Sequence, residues 1–220
     1  DVCSSDLIIW QPESLWVAKW EDKLTGKLKY VWLHDTAPIK QEREAQKFDK
    51  AIELAAQINE VRGYILSNMS HADFKRRKVA TACYLIDALC LRVGDEKDED
   101  EADTVGATTL RPEHVKLHED GVAEFRFLGK DSVLWHKKLP LSELAQERMK
   151  ELLKHARPSN AEKTAASNKP QLFPDISSRD VNAFLSEKLP GLSAKVFRTF
   201  HASTAVHKSL DHSGVVRTDP

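Results

Sequence analysis

Two hydrophobic periods within one chain limit its fold more than any other feature. From about Asp73 to Val93, the apolar residues Val79, Ala82, Cys83, Ile86 and Cys90 recur at helical spacing, and Gly94 is placed to stop the helix. An earlier run, Gln41 to about Arg62, carries Phe48, Ile52, Ala55, Ala56 and Asn59 at the same spacing, with Gly63 placed to interrupt it. The period then changes to two. Ala123, Phe125 and Phe127 alternate with Glu124 and Arg126, the mark of a half-buried strand, and residues 132–139 read as the returning strand. Between these periods, residues 106–117 read as mostly extended, with Arg111-Pro112 marking a bend.

The remaining segments fit around those elements. Residues 15–20 and 28–33 are rich in β-formers and flank Gly26, so they read as a hairpin. Leu141 to His155 reads as a helix, Arg157 to Pro170 as a polar linker or mobile loop, and Ser177-x-x-Asp180 as a capping box opening the next helix. Pro190-Gly191 breaks that helix, and a last one runs from about Ala194 to Leu210. No internal repeat is visible. The fold class expected is α+β: an N-terminal hairpin, then a mainly helical domain carrying a small antiparallel sheet.

Charge is distributed unevenly. Residues 95–103 hold seven acids and one lysine, a local charge of −6, while the 220-residue chain totals −1, so the remainder carries about +5. Lys75-Arg76-Arg77-Lys78 shows that cations also cluster, which leaves room for a basic face. No apolar run approaches the length of a membrane span. Cys3, Cys83 and Cys90 form no CxxC pair; Cys83 and Cys90, seven apart on the second helix, read as core residues of a reduced, intracellular protein.

Three cations stand at the ends of different elements. Arg92 closes the second helix, where a cation also favours the helix dipole. Lys130 sits on the strand-to-strand turn, where lysines commonly face water. Arg198 lies in the last helix among Val196, Phe197 and Phe200, where a partly buried guanidinium needs a carboxylate or a phosphate. Each has an ordinary structural reading alone. Together they are the groups a pentacoordinate phosphorane requires: forks for the non-bridging oxygens and a proton donor for the leaving oxygen.

Four blocks, in this order, resemble the catalytic core of type IB DNA topoisomerases of the large eukaryotic and archaeal kind. They are WEDKLTGKLKYVWL, YLIDALCLRVGDEKDEDEADTVGATTLRPEHVKL, EFRFLGKDS and LSAKVFRTFHAS, spread from about Trp16 to Leu210. The resemblance implies the DNA breaking-rejoining fold shared with tyrosine recombinases and double-stranded DNA as partner, bound by a monomer that stays with the chromosome in nucleoid or nucleus. It implies neither ATP nor metal, because a tyrosine linked to the 3′ phosphate stores the bond energy. By position, Arg92 and Arg198 correspond to the two catalytic arginines and Lys130 to the general acid. Lys195, three residues before Arg198, stands where related recombinases carry histidine. Asp131, Lys97 and Thr104 correspond to further DNA contacts. Residues 1–38 correspond to the end of the N-terminal DNA-binding cap, and 39–220 to the core, with 157–170 as a loop within it.

The family also needs a histidine and a nucleophilic tyrosine downstream of the second arginine. The chain ends 22 residues after Arg198, and Tyr30, Tyr64 and Tyr84 all precede Arg92. His201 lies too close to Arg198 for the family histidine, and Tyr84 reads as core. The expectation is therefore a core truncated before its nucleophile and inactive alone, with ends (DVCSSDL and DHSGVVRTDP) that match nothing in the family pattern. The alternatives are a DNA-binding fragment without catalysis, a tyrosine recombinase, and a structural α+β domain with no DNA role; Lys195 in place of histidine favours the topoisomerase over the recombinase.

Overall fold

The computed structural model describes residues 11–24, 26, 28–94, 105–158 and 169–213. It is α+β, and its contacts divide the chain into two compact units, residues 1–49 and 50–220.

In the first unit, β1 (Trp16–Glu21) pairs antiparallel with β2 (Leu28–Trp32), as the β-rich runs predict. The turn is closed by the Gly26 amide donating to the Asp22 carbonyl at 2.7 Å, with Gly26 at φ +66°, where a glycine costs nothing. Tyr30 stacks on Trp32, ring centroids 5.2 Å apart. The helix α1 (Pro38–Asn68) starts in this unit and continues into the second.

Two expectations for α1 are corrected. Gly63 does not interrupt it; the helix runs on through Asn68. The stripe of Phe48, Ile52, Ala55, Ala56 and Asn59 is exposed, while Ala51, Leu54, Val61 and Ile65 are buried. The helix has apolar residues on two sides, and packing selects the other one.

The helix α2 (Phe74–Leu89) is the centre of the second unit, packed against α3, α4 and α5. Asp73 caps it by accepting from the Lys75 and Arg76 amides. It ends at Leu89, not near Val93, because Cys90 adopts the left-handed conformation (φ 56°, ψ 37°) and both its amide and that of Leu91 close on the Ile86 carbonyl. Arg92 consequently lies in the extended segment beyond the helix rather than at its last turn.

That segment is fixed by a second strip of chain. Ala107 donates to the Arg92 carbonyl at 2.9 Å, Thr108 to Val93 at 2.8 Å, and Val105 to the Leu128 carbonyl at 2.8 Å. Gly94 and Gly106 meet so closely that a Cβ on Gly106 would lie 2.4 Å from the Gly94 Cα. Lys97, Thr104 and the acidic run lie outside the described residues.

The sheet follows the predicted alternation. After a short 3-10 turn at Pro112–His114, β3 (Val115–Leu117), β4 (Val122–Leu128) and β5 (Leu134–Pro140) form an antiparallel meander, and Ala123, Phe125 and Phe127 are buried. The helices α3 (Glu143–Lys154), α4 (Ser178–Lys188) and α5 (Ala194–Ser213) complete the unit. The capping box of Ser177 and Asp180 forms as the sequence predicts. Cys83 is fully buried, and burial pushes its thiol far above its ordinary range. Of the loop expected at 157–170, residues 159–168 lie outside the described residues; its two ends are joined by an antiparallel bridge between Arg157 and Gln171. No helix among the described residues is long and apolar enough to cross a membrane.

Candidate active site

Three separate pieces of chain build one open pocket of about 150 Å³. The segment after α2 contributes Cys90, Leu91 and Arg92. The β4–β5 connection contributes Gly129, Lys130, Asp131 and Val133. The helix α5 contributes Arg198. Val105, Phe127 and Trp135 complete the wall. The structure thus brings together Arg92, Lys130, Asp131 and Arg198.

Local geometry explains how each side chain is presented. The β4–β5 connection is closed by the Gly129 amide donating to the Val133 carbonyl at 2.8 Å, and Lys130–Ser132 form a tight, non-helical turn. Asp131 (φ 62°) and Ser132 (φ 56°) both take left-handed backbone, so this tip is strained for non-glycine residues. Arg198 sits in the second turn of α5, held by the buried Ala194, Val196 and Phe197.

The electrostatics favour an anion. Arg198 is half-buried, and burial, followed by repulsion from the nearby Arg92, lowers its pKa below the ordinary guanidinium value. Among the described residues, none of Arg92, Lys130 and Arg198 forms an ion pair. Two guanidiniums and an ammonium around one opening, with no carboxylate ion-paired to them among the described residues and Asp131 as the one acid in the lining, make a receptor for a multiply charged oxyanion. No group of three or more His, Cys, Asp and Glu is placed to hold a metal ion among the described residues.

Other expected residues fall differently. Lys195 is exposed in the first turn of α5 and does not line this pocket. Cys90, expected as core, is only half-buried and stands in the pocket wall, its thiol raised chiefly by burial. Tyr84 packs against the core as a partly buried residue, and burial, with Asp87 close by, raises its hydroxyl pKa.

Sequence reasoning passed over two features. Trp135 faces Phe127 across β4 and β5 and stacks on it at 6.5 Å, and its indole nitrogen is buried without a hydrogen-bond partner among the described residues. The other feature is Asp87, a carboxylate in the otherwise apolar body of α2 and 7% exposed. It accepts from Arg62 Nε at 2.7 Å and from a terminal guanidinium nitrogen of Arg62 at 3.1 Å, and it bonds His201 Nε2 at 2.7 Å. Asp87 therefore ties α1 and α5 to α2. Arg92 follows it by five residues, and Arg198 precedes His201 by three, so this bridge links the pieces that carry the two arginines. An acid within an apolar helix was the available signal.

Comparison with known proteins gives the family. Residues 36–219 match the model of the eukaryotic DNA topoisomerase I catalytic core. The match takes in most of the last ten residues, which sequence reasoning had placed outside the family pattern. DNA topoisomerase 1 of Homo sapiens is 33% identical over 201 residues, covering 89% of this chain. The Drosophila melanogaster enzyme is 33% identical over 210 residues, covering 93%, and the Homo sapiens mitochondrial DNA topoisomerase I is 33% identical over 201. The chain spans 25%, 20% and 32% of the length of these three relatives. With four-fifths of its residues inside the family match and the expected cations around one pocket, this chain belongs to the eukaryotic DNA topoisomerase I catalytic-core family.

Proposed function

We propose that this chain is the phosphate-gripping part of a type IB DNA topoisomerase, with the breaking-rejoining fold shared with tyrosine recombinases. The observation that carries the reading is the convergence of Arg92, Lys130 and Arg198 on one pocket. In the reaction, a tyrosine hydroxyl attacks a backbone phosphorus, a phosphotyrosine forms at the 3′ side, and the bond to the 5′ oxygen breaks. Arg92 and Arg198 hold the non-bridging oxygens as their charge grows. The Lys130 ammonium gives its proton to the departing 5′ oxygen and takes it back on resealing. The free end rotates between the two steps, and supercoils relax without ATP.

Tyr64 and Tyr84 are poor candidates for that nucleophile. The Tyr64 hydroxyl is bonded to Glu187 at 2.6 Å and to Arg76 at 2.7 Å, and Tyr84 lies on α2 away from the pocket lining. We assign the nucleophile to the part of the relatives that this chain does not span, as the resemblance places it downstream of the second arginine and Tyr30, Tyr64 and Tyr84 all precede Arg92; the chain alone then binds DNA without cutting it. Residues 1–38 are the end of the DNA-binding cap and 39–220 the core, with 157–170 a loop inside it. Lys195, Asp131, Lys97 and Thr104 add DNA contacts. The protein acts as a monomer on the chromosome. Lysine rather than histidine at position 195 favours this over a recombinase.

The test uses a chain extended through the relatives' tyrosine region. It should relax supercoiled DNA without ATP or added Mg²⁺, and Lys130→Ala should slow cleavage about 10²–10⁴-fold while leaving DNA affinity nearly intact. If the extended protein binds DNA but forms no covalent adduct, the enzyme reading fails. If rate and affinity fall together in Lys130→Ala, Lys130 is a phosphate contact and not the acid.

A further inference from the structure

The outward face of the three-stranded sheet carries a charge pattern that the pocket does not use. The register places Lys116, Glu124 and Lys138 in one row across the three strands, and Arg126 opposite His136 in the next. Lys116, Arg126 and Lys138 are exposed, and none forms an ion pair among the described residues. Glu124, the one acid in these rows, is already occupied. Its two carboxylate oxygens accept from His118 Nε2 at 2.9 Å and His136 Nε2 at 2.6 Å, an ionised carboxylate having only acceptors to offer.

The face also has direction. It begins at the Lys130 turn, where Leu128, Val133 and Leu134 are exposed at 47%, 60% and 55%, and Leu128 pairs with Leu134. Beyond this apolar tip come Arg126, then Lys138 and Lys116. Adjacent strands lie about 4.8 Å apart and alternate residues about 6.7 Å apart, so the three cations form a compact patch leading away from the pocket. Among the described residues, the other acids near these rows stand at the margins: Glu113 before β3, Glu119 and Asp120 at the β3–β4 turn, and Asp131 at the tip.

We propose that this face is a second stretch of duplex-DNA contact surface, continuous with the Lys130 turn, in which Lys116, Arg126 and Lys138 meet backbone phosphates. Charge complementarity selects the occupant: three exposed cations against one acid, Glu124, which bonds two histidines and attracts Lys138 through space, leave an excess of positive charge that suits a polyanion. The identity of that polyanion as DNA rests on the function proposed above. The exposed tip leucines and valine are apolar side chains of the kind that groove-binding proteins press against base steps.

The experiment measures affinity of this chain for a labelled random-sequence duplex as salt is raised. Each phosphate contact contributes about 0.9 to the slope of log K against log salt, so Lys116→Gln/Arg126→Gln/Lys138→Gln should lower the slope by about 2–3. A charge-matched triple elsewhere, Lys150→Gln/Lys154→Gln/Arg179→Gln, should leave the slope unchanged. Glu124→Gln, which removes the acid and frees both histidines, should move affinity the other way and tighten binding. A triple variant that keeps the wild-type slope overturns the proposal, as does an equal loss in the charge-matched triple. If wild type shows no salt-dependent binding, the DNA reading of the pocket falls with it; wild-type binding with an indifferent sheet face removes this inference alone.

Discussion

Replacing Asp87 by alanine should destabilise the 50–220 unit by about 2–3 kcal/mol. The side chain is 10% exposed and accepts a two-pronged bond from Arg62 and one bond from His201. Removing one partner of a buried pair typically costs about 3–5 kcal/mol, because the other charge is left without compensation. The Arg62 side chain is 44% exposed, so water recovers part of that loss and the upper figure does not apply. For a unit of this size, the expected change lowers the melting midpoint by roughly 5–10 °C. Asp87→Asn keeps the shape and one acceptor, and should lose less. Urea unfolding followed by far-UV circular dichroism reads both. The pH dependence has a definite sign. Burial raises the Asp87 pKa, but the bonds from His201 and Arg62 outweigh it and hold the carboxyl below its ordinary value. Its contribution is therefore full above the unfolded value near 4 and lost as pH falls through the lower folded value, and Asp87→Asn should flatten that limb. A loss below about 0.5 kcal/mol in Asp87→Ala would refute the bridge, as would losses in Asp87→Ala and His201→Ala that simply add.

Gly106→Ala should cost about 1–3 kcal/mol by overpacking, since its Cβ would press on the Gly94 Cα and stand 2.9 Å from the Arg92 carbonyl; chemical denaturation measures this, and a neutral result would show that the two strands can part. Glu124 should titrate near 2 by carbon-detected NMR, held down by His136 and His118; its stabilisation is full above the unfolded carboxyl value, falls progressively as pH drops below that value and is gone once pH passes about 2, and Glu124→Gln should abolish that acid limb. Cys83 should resist a maleimide in the native protein and react once urea unfolds it, as peptide mapping would report; labelling at the native rate of an exposed thiol would contradict its place in the core.

The parts of the fold that were legible in sequence are those that a single local rule decides. Ala123, Phe125 and Phe127 could point only one way once Glu124 and Arg126 faced water, and Ser177 with Asp180 could cap only one helix. The helix α1 defeated the same reasoning because Phe48 and Ile52 offer as good a stripe as Leu54 and Val61. Periodicity shows that a helix has an apolar side, and only its neighbours decide between two. The end of α2 was misread for a related reason: Gly94 is the residue that tolerates positive φ most cheaply, yet Cys90 takes that conformation first. In the site, residue types were readable but their meeting was not. Arg92, Lys130 and Arg198 come from three distant stretches, and nothing local to any of them specifies the other two. Cys90 and Trp135 entered the pocket wall through tertiary packing alone.

The contact between Gly94 and Gly106 has a consequence for how this family can vary. The backbone leaves at Gly94 and returns at Gly106 to almost the same point, and hydrogen bonds from 105, 107 and 108 secure both sides of the junction. The two ends of the segment are thereby held at one place. Doubling the length of such an insert adds only about 0.6 kcal/mol of closure entropy, because the ends are already held together. A change in the number of residues between the two glycines therefore leaves intact the junction that holds Arg92 in the pocket wall.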